Sequence, residues 1–300
     1  MFMYINPKCT KFPVKSDKKM EKYLVIGDPV GHSRSPGMQN AAFEALGMGR
    51  PYGIKHVTPA ELPEFFEYAR KNLLGVNLTV PHKLQAAELA DELTECAGKC
   101  GSVNTLIIKE GRITGDSTDG TGLEKALEYC FDESLTGKRI LFCGAGGAAH
   151  ATAVHLAGCG VAGISFINRT LSKAEELLDL CRKYYPALEY ECVSPADLAG
   201  CRNLIARADF LVQATSLGLK KDDPLPLDAN CLESGMKLKI FDTIYHPTKL
   251  QQLAAELGIA CVNGKEMLIR QGAASFEKWT GLVPDLAAMR RGFDEGVPGK

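Results

Sequence analysis

The stretch from residue 139 to residue 157 constrains this 300-residue chain more than any other. Arg139–Cys143 is a short apolar run, the kind that forms a buried strand. It leads directly into Gly144-Ala145-Gly146-Gly147-Ala148-Ala149, and an alanine-rich stretch continues to Ala157. This is G-x-G-x-x-A set between a strand and a helix. Gly144 permits a tight turn, Gly146 leaves room for a pyrophosphate against the backbone, and Ala149 lets the helix pack close to the strand. Gly147 and Ala148 supply N–H groups at the helix mouth, where the dipole favours anions. A glycine-rich turn with no ligand is the plainer account, and the correct flanking elements weigh against it.

The end of the next strand selects the dinucleotide. The run Gly163–Ile167 ends in Asn168-Arg169-Thr170, and Lys173 follows. A site for NAD usually carries Asp or Glu about 20 residues on, to bind the ribose 2′-hydroxyl. No carboxylate stands there. Arg169 and Lys173 offer cations to a 2′-phosphate instead, and the planar guanidinium can bind two phosphate oxygens at once. The expected cofactor is therefore NADP, the competing account being a basic helix start with Arg169 in solvent.

Strand-like and helix-like patterns alternate on both sides of this unit, which predicts an α/β fold of two domains. Upstream, residues 23–26, 52–57, 74–80, 103–108 and 112–114 read as strands, with Glu110-Gly111 as a hairpin turn. Helices are predicted at 36–46 and after Thr58-Pro59-Ala60-Glu61, which has the form of a capping box. Downstream, Arg139–Cys143, Gly163–Ile167, 188–192, Phe210–Gln213, Lys239–Asp242 and 260–262 read as the strands of a doubly wound parallel sheet. Two final helices, 265–279 and 285–293, have no strand to pair and are expected to return to the first region. The expected division is a substrate-binding catalytic domain of residues 1–120 plus 256–300 and a Rossmann-type NADP-binding domain of residues 121–255.

Composition narrows the partners. A net charge of −1, with no basic block interleaved with aromatics, gives no footprint for nucleic acid. No apolar run approaches the ~20 residues of a membrane helix. The 11 cysteines show no C-x-x-C pair and no zinc-spaced Cys/His cluster, so no metal site is expected. Their odd number and the absence of a signal peptide point to a reducing cytoplasm. Residues 1–20 read as a polar extension before the first strand.

Four segments of the first region, and one near the end, are unusually polar. In Gly31-His32-Ser33-Arg34-Ser35-Pro36, Ser35 reads as an N-cap followed by Pro, while Ser33 offers a second hydroxyl at the same helix mouth; the two could bind a carboxylate. In residues 75–83, GVNLTVPHK, Asn77 and Thr79 share one face by the strand period of two. A helix begins at Pro81, placing Lys83 in a first turn where the dipole disfavours a cation; it is either a solvated lysine or a functional one. Asn104 opens an apolar strand, as a turn residue or a site residue. Asp119, in GDSTDG, either caps the next helix or faces a cleft between domains. Gln271 puts an amide on the apolar face of the terminal helix or at its rim.

In order along the chain, GHSRSP, GVNLTVPHK, GSVNTL, GDSTDG, GAGGA, NRT, QATSLG, YHP and QGA resemble the shikimate dehydrogenase family from residue 23 to residue 293. The resemblance implies a catalytic pair, Lys83 and Asp119. It implies that Ser33 and Ser35 bind a substrate carboxylate, and that Asn77, Thr79, Asn104, Tyr245 and Gln271 bind ring hydroxyls or support the pair. Thr215 and Gly264 join the expected cofactor set. The implied reaction is reversible, NADPH-dependent reduction of 3-dehydroshikimate to shikimate, by a monomer or homodimer. Ser117, Gln213 and His246 depart from the usual family pattern, each standing where Asn is more common. Two alternatives stay open: an enzyme that also takes quinate, and a non-catalytic NADP-binding regulator on the same scaffold.

Overall fold

The computed structural model describes residues 22–49 and 51–296. The expected polar extension, residues 1–20, lies outside them. Two six-stranded sheets follow one another along the chain.

The first sheet contains β1 (Tyr23–Gly27), β2 (Tyr52–His56), β3 (Gly75–Leu78), β4 (Glu92–Leu93), β5 (Thr105–Lys109) and β6 (Arg112–Asp116), in the order β2-β1-β3-β5-β6-β4. β1 runs parallel to β2 and β3, whereas β5 is antiparallel to β3 and β6. The β5–β6 hairpin turns at Glu110 and Gly111, both with positive φ (51° and 77°), which matches the twist of a two-residue hairpin. Between the strands lie α1 (Ser35–Ala45), α2 (Leu62–Asn72), α3 (Lys83–Leu89) and α4 (Glu95–Cys100). β1 is apolar throughout because both of its faces are covered. Tyr23 and Val25 cluster with Met38 and Phe43 of α1, and Leu24 and Ile26 cluster with Phe65 and Phe66 of α2. The capping box forms: the backbone N–H and hydroxyl of Thr58 both donate to Glu61 Oε2, at 3.1 and 2.9 Å.

Helix α5 (Asp119–Phe131) leads from the first sheet to the second. The second sheet contains β7 (Arg139–Cys143), β8 (Gly163–Ile167), β9 (Glu189–Val193), β10 (Phe210–Gln213), β11 (Lys239–Asp242) and β12 (Ala260–Asn263). All pair in parallel, in the order β12-β11-β10-β7-β8-β9. Its helices are α6 (Gly147–Ala157), α7 (Leu171–Tyr184), α8 (Leu198–Arg207) and α9 (Lys249–Leu257). The order reverses between β7 and β10, and doubly wound sheets hold their ligands outside the strand ends at such a switch point.

The chain returns to the first sheet later than residue 256. Residues 260–263 pair in register with β11, so backbone hydrogen bonding keeps them in the second sheet. The return is made by α10 (Lys265–Thr280) and α11 (Leu286–Glu295), which pack on α5 and α1 respectively. Gly122 sets the α5–α10 spacing: a Cβ there would lie 2.6 Å from the Cβ of Gln271. Among the described residues, no helix is long and apolar enough to cross a membrane, and all ten cysteines are free thiols.

Candidate active site

The polar segments of the first region converge where β3, β5, α5 and α10 meet. Lys83 is the first residue of α3, two positions later than the helix start expected at Pro81. Its Nζ lies 2.5 Å from Asp119 Oδ2, and the two side chains are 20% and 9% exposed. Asp119, first residue of α5, is held from its other side, where Asn104 Nδ2 donates to Oδ1 at 2.8 Å. A cation in a first helical turn opposes the dipole, and the adjacent carboxylate offsets that cost.

Asn104 is a buried hub and not a turn residue in solvent. Its Oδ1 accepts from the Thr118 backbone N–H at 2.8 Å and from Thr105 Oγ1 at 2.9 Å. Gln271 is also buried, with Oε1 3.3 Å from Asn104 Nδ2 and Nε2 donating to the Leu268 carbonyl at 2.9 Å. Asn77 donates to Ser275 Oγ at 3.0 Å and accepts from the Tyr52 hydroxyl at 2.7 Å. Ser275 lies 2.8 Å from Thr105 Oγ1 and 3.2 Å from Thr118 Oγ1. Lys83 is thus the exposed end of a buried hydrogen-bonded chain, and every link fixes the next.

Tyr52, Thr105, Thr118 and Ser275 belong to this chain but were not singled out in the sequence. Ser275 stands four residues after Gln271, on the same helical face, and Thr118 lies within GDSTDG; both signals were readable. Tyr52 gives no such signal, since an aromatic in a strand reads as core. Its phenol is pushed well up by burial, and a hydrogen bond with the Ser35 hydroxyl opposes that rise.

The serines divide their roles differently from the expectation. Ser35 is the first helical residue of α1, not its cap, with Arg34 at the capping position. Ser33 Oγ instead accepts from the Ser35 backbone N–H at 3.2 Å, and this leaves the Ser35 hydroxyl to meet Tyr52. Thr79 falls just beyond β3 and is half-buried against Gly27, where a Cβ would lie 2.5 Å from the threonine methyl. Tyr245 follows β11 and packs edge-on against Phe293 of α11, with ring centroids 5.5 Å apart. It therefore joins the second sheet's loops to the returning helices.

The cofactor motif lies at the switch point. Gly144 has φ +98°, and a Cβ there would lie 2.6 Å from Thr215 Cγ2, so the loops after β7 and β10 meet at a position only glycine fits. Gly146 caps α6 with open space around it: the nearest atom to its would-be Cβ is the Ala214 carbonyl, 4.0 Å away. Asn168 Oδ1 accepts from the Ala145 N–H at 3.1 Å, and its Nδ2 donates to the Thr170 carbonyl at 2.7 Å, tying the glycine loop to the end of β8. Gln213 folds the loop after β10, accepting from Thr215 N–H and donating to the Leu217 carbonyl. Gly264 caps α10 against Thr243, whose carbonyl oxygen a Cβ would meet at 2.1 Å. Arg169, Thr170 and Lys173 are exposed, and neither cation has an ion-pair partner among the described residues. An open helix mouth, two available cations and no carboxylate fit a dinucleotide bearing a 2′-phosphate.

Known proteins align with this arrangement along nearly its whole length. Three family models match in order: the shikimate dehydrogenase substrate binding domain at residues 25–106, shikimate / quinate 5-dehydrogenase at 125–219, and the shikimate 5'-dehydrogenase C-terminal domain at 264–291. A shikimate dehydrogenase (NADP(+)) of Bacillus cereus (strain 03BB102) is 37% identical over 273 residues, 90% of this chain and 96% of its own. Shikimate 5-dehydrogenase from Thermus thermophilus, solved in complex with NADP(H) and shikimate, superposes with a TM-score of 0.80 at 32% identity, covering 92% of this chain and 99% of that one. Quinate dehydrogenase from Corynebacterium glutamicum, solved with NAD, superposes at 0.81 with 29% identity, over 90% of this chain and 97% of that one.

Proposed function

This chain belongs to the shikimate dehydrogenase family, and we propose that it is an NADP-dependent shikimate dehydrogenase, reversibly reducing 3-dehydroshikimate to shikimate on the route to chorismate and the aromatic amino acids. The observation that carries the reading is the Lys83–Asp119 pair, 2.5 Å apart, with Asn104 holding the carboxylate from behind. A sensor that only bound the dinucleotide would need neither group.

NADPH, when bound, supplies the hydride to the substrate carbonyl carbon. As the carbonyl oxygen gains negative charge, the Lys83 ammonium stabilises it and donates a proton, so that one N–H bond breaks and one O–H bond forms. Asp119 keeps that ammonium charged and aimed. In the oxidising direction the neutral amine takes the hydroxyl proton. Ser33 and Ser35 hold the ring carboxylate, while Asn77, Thr79, Asn104, Tyr245 and Gln271 line or brace the ring-hydroxyl side. The glycine loop with Gly147 and Ala148 takes the pyrophosphate, Thr215 and Gly264 flank it, and Arg169 and Lys173, beside Asn168 and Thr170, take the 2′-phosphate. We place the enzyme in the cytoplasm as a monomer or homodimer.

A turnover assay crossing shikimate and quinate with NADP and NAD tests the whole reading. The expected result is the highest kcat/KM for shikimate with NADP. A preference for quinate or for NAD would overturn the substrate or the cofactor assignment separately. Binding of NADP without turnover of either acid would establish the regulator instead.

A further inference from the structure

Glu124 of α5, His155 of α6 and Cys159, two residues beyond the end of α6, bring a carboxylate, an imidazole and a thiol together. We propose that these three side chains form a binding site for a borderline divalent transition ion, represented by Zn²⁺, that clamps α5 to α6.

The geometry is close to that of such a site. The three ligand atoms all lie within 4.8 Å of one another, and His155 Nε2 is 2.7 Å from Glu124 Oε2. Metal–ligand bonds of about 2.0–2.3 Å at tetrahedral angles put ligand atoms roughly 3.3–3.8 Å apart, so the pair must open by roughly half an ångström and the widest gap close by roughly one. All three residues are half-buried, sheltered yet reachable from solvent. Cys159 comes four residues after His155, in the turn that closes α6, and its thiol already turns back to the His155 carbonyl at 3.4 Å. Gly120 permits the approach of the two helices, since a Cβ there would lie 2.3 Å from the Cβ of His155.

The donor set selects the ion. Thiolate and imidazole favour zinc and its neighbours over magnesium or calcium, and three protein ligands leave a fourth position for water. Binding exchanges the Glu124–His155 contact for two metal bonds and releases the thiol proton to solvent. An ion there would join the helix that opens with Asp119 to the helix that follows the glycine loop. The sequence concealed the site because Glu124 comes 31 residues before His155.

Titration of the purified full-length protein with Co²⁺, a spectroscopic substitute for zinc, tests the proposal. The expected result is saturation at one equivalent, with tetrahedral visible bands and a thiolate-to-cobalt band in the near ultraviolet, both removed by excess Zn²⁺. Cys159→Ser abolishes the near-ultraviolet band, and His155→Gln weakens Zn²⁺ binding by about 100-fold. Zn²⁺, but not Mg²⁺, raises the Tm of the wild type and leaves that of Cys159→Ser unchanged. An undiminished charge-transfer band in Cys159→Ser, equal stabilisation by Mg²⁺, or no stoichiometric binding would each overturn the site. Cys159→Ser is nearly isosteric, so it decides the matter even if His155→Gln fails to fold.

Discussion

The two halves of the cleft hold their polar groups in opposite ways. On the substrate half, Asn77, Asn104, Thr105, Thr118, Gln271 and Ser275 are buried and bonded to one another, and only Lys83 emerges from the chain they form. On the cofactor half, Arg169, Thr170 and Lys173 stand in solvent, and Gly146 and Gly147 present bare backbone. The ligands proposed for the two halves explain the contrast. A phosphate carries enough charge to draw flexible cations around it. A ring of hydroxyls does not, so the groups that read it must be aimed in advance by neighbours that are themselves fixed. Burial makes that aiming obligatory, because an orphaned buried polar group costs about 1–3 kcal/mol.

If the substrate half is a fixed relay ending at Lys83, its end should be the most damaging place to cut. Lys83→Ala is expected to lower kcat by about 10²–10⁴ at saturating shikimate. Near-normal kcat would remove Lys83 from the chemistry. Asp119→Asn keeps the shape and the contact with Asn104 but removes the charge that faces the ammonium. Its kcat should fall less, by about 10- to 1000-fold. A larger loss than for Lys83→Ala would move the principal proton role to the carboxylate.

The cofactor half should respond in binding and not in chemistry. Arg169→Ala removes charge-assisted hydrogen bonds worth roughly 1.5–3 kcal/mol, so KM for NADP should rise about 10- to 150-fold with kcat nearly unchanged. KM for NAD, which lacks the 2′-phosphate, should barely move. Equal rises for both cofactors would show that Arg169 supports the loop and reads no phosphate.

The same contrast governed what could be read in advance. Most of the cofactor half is contiguous: Gly144 follows β7, Asn168 and Arg169 follow β8, and Lys173 stands in the first turn of α7, while β7 and β8 have the bounds expected of them. The substrate half is assembled from distant pieces. Asn77 meets Ser275 across 198 residues, and Asn104 meets Gln271 across 167. The segments could be picked out one by one, and the family resemblance assigned them to one site, but no local rule pairs them. Local rules also misplaced details: Ser35 reads as a cap, whereas Arg34 stands at that position and the Ser35 N–H donates to Ser33 Oγ, and a division at residue 256 separates the strand read at 260–262 from the sheet in which it pairs with β11.

A smaller perturbation probes how far the relay reaches. Tyr52→Phe removes the donor to Asn77 Oδ1 from a buried site and should cost about 1–3 kcal/mol of stability. Because Tyr52 lies at the far end of the chain from Lys83, kcat should fall by less than about tenfold. An unchanged Tm, measured by calorimetry, would mean that Asn77 finds another donor and that the relay is not rigid at this end.

Acid should loosen the two halves through one histidine each. His82 precedes Lys83 and is buried, its Nε2 2.7 Å from the Val57 carbonyl and its Nδ1 without a partner. Burial lowers its pKa below the ordinary 6.5. His150 of α6 is lowered for the same reason, against a hydrogen bond to the Cys100 backbone, and its Nδ1 is likewise unpartnered. A second proton on either ring would create a buried N–H with no acceptor. The unfolded chain accepts that proton once the pH falls through 6.5, while the folded chain resists it until its own lower pKa is reached. Stability is therefore level above pH 6.5, declines as pH falls from there toward the lowered folded-state pKa, and levels off again below it. His82→Asn and His150→Asn should each flatten part of the fall in Tm that sets in as pH drops below 6.5. If only His82→Asn does so, the substrate half is the one that yields first to acid, despite its denser hydrogen bonding; if neither does, the two rings take up their protons without leaving the fold.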